Sequence, residues 1–421
     1  MNRLLISAAH KSSGKTTVSI GLCAALRNRG LAVQPFKKGP DYIDPMWLAL
    51  AAGRDCHNLD FYLMPREEIL ATFTQRAHGA DIAIIEGNKG LYDGLDLDGS
   101  NSNAALAKLL DTPVVLVIDA RGMTRGIAPL ILGYQAFDRQ VRIAGVILNR
   151  LGGSRHESKL RAVIEHYTDV PVLGAVHNDP QLEIVERHLG LMPSNESSEA
   201  KNRIAAIAER IAAQVDLERL QTIAATAPVL ALDGPHQSAL TPLPRGEGTK
   251  VRLAVARDEA FGFYYPGDLE ALQSAGAELV PFSTLHDTGL PPCDGLFIGG
   301  GFPEMHLEAL EANASLRQDI RTAIDGGLPT YVECGGLMYL TRAIRWQDRR
   351  AEMAGVIPAE TIMEKRPQGR GYVRLRETGH GPWPLTAPGG EPAEIPAHEF
   401  HYSHIEGLPA GQRWAYEVLR G

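Results

Sequence analysis

A run near the amino terminus, AAHKSSGKTT at residues 8–17, has the residue types and spacing of a phosphate-binding loop. It follows the pattern G-x-x-x-x-G-K-[ST], except that Ala9 stands at the first glycine position. Such loops direct backbone N–H groups and a helix amino terminus at phosphates, while lysine neutralises charge and a hydroxyl binds Mg²⁺. We therefore predict ATP binding by Ser13, Gly14, Lys15, Thr16 and Thr17, with the Thr16 hydroxyl on the metal.

Acidic residues follow two predicted strands and supply the hard oxygen ligands that Mg²⁺ prefers. FKKGPDYIDP carries Asp41 and Asp44, and IIEGNKGLYDG carries Glu86 and Asp93. Loops after parallel strands leave at one edge of the sheet, so a shared site with the phosphate loop is favoured. Turn residues beside prolines, or a strand cap at Glu86, remain the alternative. We predict Asp41 and Glu86 as metal ligands, and Lys38, Asp44 and Asp93 in phosphoryl transfer or substrate binding.

A lone cysteine stands where a nucleophile would be expected. The run DGGLPTYVECGGL, residues 325–337, predicts a buried strand, then Cys334, two glycines and a helix. This order is typical of a nucleophile elbow, in which small residues relieve crowding at a tight bend. We expect the helix amino terminus to lower the pKa of the thiol. A buried structural cysteine is the alternative, but it does not account for the glycine pair.

Two other stretches suit acyl chemistry at this cysteine. FIGGGFPE places glycines after another strand, so the N–H groups of Gly300 and Gly301 are predicted to form an oxyanion hole with Gly335. HEFHYSH near the carboxyl terminus offers three histidines as a general base. These candidate bases are His398, His401 and His404.

The elements that must position these groups alternate between short apolar runs and helix-compatible segments. Continuously apolar runs predict strands covered on both faces, and the spacing leaves room for crossover helices. We predict an α/β fold with two domains: a phosphate-loop domain with a mainly parallel sheet and helices on both faces, and a second α/β unit. The predicted strands are 3–9, 32–37, 81–87, 113–120, 144–149 and 170–176, then 250–257, 276–283, 293–300 and 328–336.

Length and composition limit the number of domains and the kinds of partner that the protein can have. The chain has 421 residues, more than one core usually supports, and the Pro- and Gly-rich stretch at 226–249 predicts a linker between domains at 1–225 and 250–421. A net charge of −8 argues against nucleic-acid and anionic-membrane partners. No secretory segment or long apolar run is found, which indicates a cytoplasmic protein. A homodimer is one assembly compatible with the sequence.

The two halves together resemble the cobyrinic acid a,c-diamide synthase family. The amino half resembles dethiobiotin-synthetase-like ATPases, and the carboxyl half resembles class I glutamine amidotransferases of the cobyric-acid-synthase type. The resemblance identifies His401 as the base, while Ser403 replaces the usual third glutamate and leaves the residue that orients His401 open. It also implies that Asn149 helps to read adenine. The carrying motifs are QPFKKGPDYIDP, EGNKGLYDG, GVILNRLGGSRH and AHEFHYS.

The resemblance implies a ligase that uses ATP, Mg²⁺ and L-glutamine to amidate tetrapyrrole acetates in cobalamin biosynthesis, through an acyl phosphate. The expected substrate is cobyrinate or hydrogenobyrinate. Asn88, Lys89 and Lys11 depart from the family pattern, so amidation of sirohydrochlorin or sirohaem is the alternative within enzymes. A partitioning-type ATPase switch is the alternative from another class. Cationic partners for substrate carboxylates are expected in EKRPQGRGYVRLR, namely Lys365, Arg366, Arg370, Arg374 and Arg376, although a solvated basic loop fits equally well.

Overall fold

The structure is a computed structural model in which the chain divides into two compact units, Met1–Thr241 and Pro242–Gly421. We describe each unit by itself. Of the predicted linker, residues 226–230 are described within the first unit, and residues 231–249 lie outside the described part. The described residues are 1–180, 184, 186–187, 190–196, 199–230, 250–381, 385–387 and 390–420.

The first unit is built on a seven-stranded parallel sheet in the order β3-β2-β4-β1-β5-β6-β7. Its strands are β1 (Asn2–Ala8), β2 (Val33–Lys38), β3 (His57–Leu59), β4 (Ile82–Glu86), β5 (Val114–Asp119), β6 (Ile143–Leu151) and β7 (Val172–His177), and a short antiparallel pair follows, β8 (Glu186–Arg187) and β9 (Gly190–Leu191). Its helices are α1 (Lys15–Asn28), α2 (Ile43–Ala52), α3 (Arg66–Ala77), α4 (Asn103–Leu109), α5 (Ile127–Phe137), α6 (Ser154–Tyr167), α7 (Ala200–Gln214) and α8 (Leu217–Ala225).

Helices cover both faces of this sheet, as the sequence predicted. Successive residues of β1 point to opposite faces, yet Leu4, Leu5 and Ile6 are all fully buried. On one face Leu5 shares a core with apolar residues of α3, α4, α5 and α6. On the other face α1 packs against α7, and Gly21 of α1 lies in close contact with Ile211 of α7. The continuously apolar runs are therefore strands buried on both sides.

The second unit combines parallel and antiparallel sheets. Its strands are β10 (Val251–Ala256), β11 (Phe261–Phe263), β12 (Ala277–Phe282), β13 (Gly295–Ile298), β14 (Gly300–Gly301), β15 (Thr330–Val332), β16 (Thr341–Trp346), β17 (Arg349–Glu352), β18 (Ile357–Met363), β19 (Gly369–Glu377), β20 (Glu394–His401), β21 (Ser403–Glu406) and β22 (Tyr416–Arg420). Its helices are α9 (Pro266–Ser274), α10 (Leu307–Ala312), α11 (Ala314–Asp325) and α12 (Gly335–Leu340).

Four of these strands form the parallel sheet that the sequence predicted, in the order β12-β10-β13-β15. The sequence did not predict the other sheets, which are β11-β14, the mixed sheet β17-β16-β18-β21 and the antiparallel sheet β20-β19-β22. Strands β17, β19 and β20 are partly exposed and rich in charged residues, and β11 and β14 have only three and two residues, so a search for continuous apolar runs misses them. Among the helices of the described residues, none combines the length and apolarity needed to cross a bilayer.

The packing of α1 on α7 predicts opposite effects of one substitution at two helical glycines. A Cβ at Gly21 would lie 2.3 Å from Cγ1 of Ile211, whereas a Cβ at the exposed Gly133 of α5 meets nothing within 4 Å. Gly133→Ala should raise the free energy of unfolding by about 0.5–1 kcal/mol. Gly21→Ala should lower it, because overpacking costs about 1–3 kcal/mol and exceeds the gain in helix propensity.

Urea unfolding followed by circular dichroism measures both changes as shifts of the midpoint concentration. A Gly21→Ala protein as stable as the parent would show that α1 and α7 are not in close contact at this point.

Candidate active sites

The phosphate loop joins β1 to α1 in the strand, loop and helix order that the sequence predicted. Gly14 caps α1 with a φ of 79°, and Ser12 also adopts a left-handed φ of 62°. Lys15 and Thr16 begin the helix, and Lys15 is buried. The chain reverses sharply at the carboxyl edge of the sheet, which places the helix start beside the ends of neighbouring strands.

The structure brings the phosphate loop together with both acidic stretches. Oγ1 of Thr16 donates to Oε1 of Glu86 at 2.7 Å and to Oδ2 of Asp44 at 3.3 Å. Nζ of Lys15 lies 3.8 Å from the same Oε1 of Glu86. The carboxylates after β2 and β4 and the hydroxyl of the loop therefore share one small space.

A buried lysine, Lys37, is the centre of this group. Its Nζ donates to Oε1 of Glu86 at 3.0 Å and to Oδ2 of Asp44, and it lies 3.7 Å from Oδ2 of Asp41. Burial disfavours the ammonium, but Asp44, Glu86 and Asp41 outweigh burial and hold the pKa of Lys37 well above its usual value. Lys37 is thus a permanent cation within the carboxylates.

The sequence prediction named Lys38 for phosphoryl transfer or substrate binding, whereas Lys37 is the lysine that lies among these carboxylates, and strand alternation explains the difference. Lys37 pairs in register with Glu86 on β4, so its side chain faces the loop. Lys38 points to the other face of β2, where its charged neighbours are Asp60 and Lys89. Burial lowers the pKa of Lys38 to about 8, and Lys89 adds to the effect against the opposing charge of Asp60.

Asp41 makes the turn contacts of one alternative and also faces the group around Lys37. Its Oδ1 accepts from the backbone N–H groups of Ile43 at 2.9 Å and Asp44 at 3.2 Å, which fixes the start of α2. Its Oδ2 faces Lys37. Burial and the charge of Asp44 raise the pKa of Asp41, whereas Lys37 lowers the pKa of Asp44 against burial.

Asp93 is placed differently from the other acids. Its Oδ2 accepts from the N–H of Gly90 at 2.9 Å, and the side chain is exposed. A Cβ at Gly90 would lie 2.7 Å from the carbonyl oxygen of Ala9, so this turn packs directly on the first residue of the phosphate loop. Asp93 therefore lies beside the phosphate loop, and its hydrogen bond with Gly90 stabilises a turn.

The carboxylates around Lys37 form a cluster that fits a magnesium ion that also binds phosphate. Glu86 is fully buried, and its Oε2 has no hydrogen-bond partner, which leaves a free oxygen at the site. Across the described ranges, no three acidic, His or Cys side chains converge as a metal site by themselves. Mg²⁺ at nucleotide sites needs only one or two carboxylates, because phosphate oxygens and waters complete its octahedron. Thr16, Glu86 and Asp41 are the residues that would hold it.

Asn149, which the family resemblance implies helps to read adenine, also contacts the phosphate loop. Its Nδ2 donates to the carbonyl oxygen of Ser13 at 2.8 Å, and a Cβ at Gly14 would lie 2.1 Å from that nitrogen. The glycine of the loop is therefore required by Asn149 as well as by the left-handed φ. Thr17 follows Thr16 in the first turn of α1 and is half-buried.

The next residue, Arg150, also fixes the loop, and the sequence analysis missed it. Its Nη1 donates to the carbonyl oxygen of Ser12 at 2.7 Å and to Oδ2 of Asp119 at 3.0 Å. Arg150 has a φ of 57°, as rare for a residue with a side chain as that of Ser12. An Arg directly after Asn149 near the end of β6 was the available signal.

In the second unit, Cys334 occupies a strained turn between β15 and α12. Its φ of 45° and ψ of −108° are rarely adopted by a residue with a side chain. The two glycines that follow are required by close backbone contacts: a Cβ would lie 2.3 Å from the carbonyl oxygen of Ile298 at Gly336, and 3.0 Å from the nitrogen of Gly301 at Gly335. The predicted elbow geometry explains the glycine pair.

The predicted oxyanion glycines surround the thiol. The N–H groups of Gly335 and Gly301 interact with the thiol and favour the thiolate. A Cβ at Gly300 would lie 3.5 Å from Cβ of Cys334, so this glycine lines the same side of the site. Two backbone donors are therefore available beside the atom that would attack a carbonyl carbon.

The expected lowering of the Cys334 pKa is wrong for this structure. Burial, together with the charge of Glu304, raises the pKa of the Cys334 thiol to about 11, although the N–H groups of Gly335 and Gly301 act in the opposite direction. The residue as a whole is exposed at the surface, so the thiol is accessible to reagents, while the protein packed around the sulfur and the charge of Glu304 favour the protonated form. The helix α12 has only six residues and cannot compensate for the surrounding protein and carboxylates.

His401 is held by its own strand pair. Its Nδ1 bonds the backbone carbonyl oxygen of Ser403 at 2.8 Å, and its Nε2 lies 3.3 Å from Oε2 of Glu399. The residue that replaces the family glutamate thus orients the imidazole through its backbone. Neither contact is with Cys334, so this structure does not show a completed Cys–His pair.

The other candidate bases and cations have partners elsewhere. His404 lies 3.6 Å from Glu364 and 3.4 Å from Glu406, and His398 points to the face of β20 opposite His401. In the basic segment, Arg374 and Arg376 pair with Glu394, and Arg370 lies over the ring of Phe400. Lys365 and Arg366 are exposed.

Comparison with known proteins agrees with the division into two functional halves. Residues 5–191 match the model of the CobQ/CobB/MinD/ParA nucleotide binding domain, and residues 252–419 match the CobB/CobQ-like glutamine amidotransferase domain. Among solved structures, chloroplast FtsY from Physcomitrella patens superposes with a TM-score of 0.31 and 19% identity over 49% of this chain and 64% of that chain, which supports no inference.

Curated relatives are similar over the whole length. The cobyrinate a,c-diamide synthase of Magnetococcus marinus is 49% identical over 100% of this chain and 89% of its own length. The enzymes of the same name from Methanosarcina acetivorans and Listeria monocytogenes are 44% and 41% identical, over 100% and 96% of this chain and 87% and 88% of their own lengths. The chain therefore belongs to the cobyrinate a,c-diamide synthase family.

Proposed function

We propose that this protein uses ATP and glutamine to convert the a and c acetate groups of cobyrinate, or of its metal-free counterpart hydrogenobyrinate, into amides. The proposal rests on one observation. A single chain carries both a phosphate loop beside a cluster of carboxylates and a cysteine elbow lined by N–H donors. We assign ATP binding to residues 1–225, a linker to 226–249 and glutamine hydrolysis to 250–421. Because ATP and glutamine are both substrates, we place the reaction in the cytoplasm.

A carboxylate resists attack by ammonia because oxide is a poor leaving group, so the acid must first be activated. In the proposed mechanism, an acetate oxygen attacks the γ-phosphorus of ATP, ADP leaves, and an acyl phosphate forms. Lys15 and Thr16 would hold the phosphates, and alignment with charge neutralisation would supply most of the rate enhancement. Ammonia then attacks the acyl carbon, and inorganic phosphate leaves.

Magnesium is proposed at Thr16, Glu86 and Asp41, where it would neutralise phosphate charge and help to align the reacting oxygens. Lys37 is proposed as the second cation at this site. Its ammonium can move from carboxylates to phosphate oxygens without a change of protonation, because its pKa lies far above neutral. Asn149 and Arg150 would keep the loop in its binding conformation.

Glutamine hydrolysis is proposed at Cys334. The thiol proton passes to Nε2 of His401, the sulfur attacks the side-chain amide carbon, and Gly301 and Gly335 stabilise the oxyanion. His401 returns the proton to the departing ammonia, and water then hydrolyses the thioester. Because free ammonia becomes ammonium in neutral water, we propose that the second unit delivers it by a sheltered route.

The proposal predicts distinct effects of one substitution in each unit. Cys334→Ala should reduce glutamine-dependent amidation at least about 10³-fold and leave amidation with high ammonia intact. Lys15→Ala should abolish both reactions, while Cys293→Ala is the matched cysteine control. Product mass after incubation with cobyrinate, hydrogenobyrinate or sirohydrochlorin measures the number of amides formed and identifies the macrocycle.

Two results would contradict this function. Full amidation by Lys15→Ala would exclude activation by ATP at this loop. Unchanged activity of Cys334→Ala with glutamine as the only nitrogen donor would show that Cys334 has no role and would favour the nucleotide-switch alternative. Amidation of sirohydrochlorin alone would keep the chemistry and change the substrate.

The adjacent lysines of β2 predict a second contrast. Lys37→Gln should lower the kcat of ammonia-dependent amidation at least about 100-fold, because it removes a cation from the phosphoryl-transfer site. Lys38→Gln should change kcat less than about tenfold, since Lys38 faces Asp60 and Lys89. Circular dichroism checks that both variants fold. Equal losses in the two variants would show that strand alternation does not determine which lysine acts.

The raised thiol pKa predicts how Cys334 reacts in the ligand-free protein. Since the thiolate is the reactive species, its alkylation by iodoacetamide should increase about tenfold per pH unit and approach a plateau only near the pKa of about 11. Peptide mass spectrometry separates Cys334 from the buried Cys23 and Cys56. A plateau reached below pH 8.5 would contradict the assigned environment.

A further inference from the structure

We infer that Glu399 is a positioning residue that holds Nε2 of His401 away from the Cys334 thiol in the ligand-free protein and so keeps glutamine hydrolysis slow. The inference rests on the proposed function, because it assumes that Cys334 and His401 hydrolyse glutamine. It concerns the control of that reaction, which the proposed function does not address.

The contact between Glu399 and His401 is built into the β19–β20 pair. The two residues are two positions apart on β20, so their side chains lie on one face of the strand. Across the pair, Gly369 is the register partner of His401. A Cβ at Gly369 would lie 2.2 Å from Nε2 of His401 and 2.5 Å from Oε2 of Glu399. The contact between His401 and Glu399 therefore fits only because the buried residue opposite them, Gly369, has no side chain.

The two acceptors determine where the protons of the imidazole lie. The carbonyl oxygen of Ser403 can only accept, so Nδ1 of His401 must carry a hydrogen. A flipped ring would place a carbon against that oxygen and lose the 2.8 Å bond. Nε2 is then the only nitrogen that can take the thiol proton.

Glu399 competes directly for that nitrogen. Its Oε2 lies 3.3 Å from Nε2, so this nitrogen is directed at the carboxylate and not at Cys334. For hydrolysis to begin, Nε2 must leave Glu399 and turn to the thiol, where its lone pair can accept the thiol proton.

The exposure of the pair indicates a weak and reversible restraint. The side chains of His401 and Glu399 are 35% and 37% exposed, so solvent screens their attraction. Partly exposed pairs of this kind shift an equilibrium by about two- to fivefold. Such a restraint lowers the fraction of molecules in which Nε2 of His401 is free to act as the base, but it does not block the reaction.

The test is Glu399→Gln, which removes the charge and keeps the size. Without ATP and macrocycle, its glutaminase rate and its rate of Cys334 alkylation by iodoacetamide at neutral pH should both rise about two- to fivefold. Glu406→Gln is the matched control, because Glu406 contacts Nε2 of His404 at 3.4 Å across the same two-residue spacing. This control should change neither rate.

The effect must also depend on His401. Adding Glu399→Gln to His401→Ala should leave the alkylation rate unchanged, a result that a merely structural role of Glu399 would not give. Ammonia-dependent amidation equal to that of the parent shows that the variants fold. Unchanged or lower rates in Glu399→Gln would overturn the inference, since a glutamate that supports catalysis would lower them. If Cys334→Ala retains the parent glutaminase rate, the proposed function itself fails.

Discussion

Both candidate sites depend on the same backbone constraint, a sharp reversal from a buried parallel strand into a helix. At Gly14 and at Cys334 the chain adopts a positive φ, and the adjoining glycines lie so close to neighbouring groups that a Cβ would not fit. The reversal puts Lys15 and Cys334 at the carboxyl ends of their sheets, where loops from adjacent strands also end. Much of the chemistry of each unit follows from this placement, because the remaining groups are brought in by neighbouring strands.

The electrostatics of the two sites differ in a way that matches their proposed tasks. In the first unit, two cations, Lys15 and Lys37, lie against the carboxylates of Glu86, Asp44 and Asp41, so binding of phosphate and magnesium would exchange ionic partners within a site that is already charged. In the second unit, Glu304 and burial keep Cys334 protonated, and Glu399 occupies the nitrogen that would activate it. We infer that the first site already holds the charges that its ligand would exchange, whereas Glu399 restrains His401 in the second.

The sequence predicted the architecture well where apolar runs carried the signal. The strands that build the large parallel sheet were found except β3, an edge strand of three residues, and the family resemblance is confirmed by relatives that are similar over the whole chain. The antiparallel sheet β20-β19-β22 of the second unit was missed because its strands mix charged and apolar residues, and β11-β14 because its strands have only three and two residues. The sequence also could not predict side-chain directions. Only strand register distinguishes Lys37 from Lys38. Only the folded β19–β20 pair brings Glu399 to His401.

In the proposed reaction, the first unit makes an inert carboxylate reactive by transferring phosphate to it. A macrocycle whose acetate groups carry ¹⁸O tests this step, with mass spectrometry of the inorganic phosphate that is released. An acyl phosphate predicts transfer of one labelled oxygen to phosphate for each amide formed. Unlabelled phosphate, with amides still formed, would exclude this intermediate.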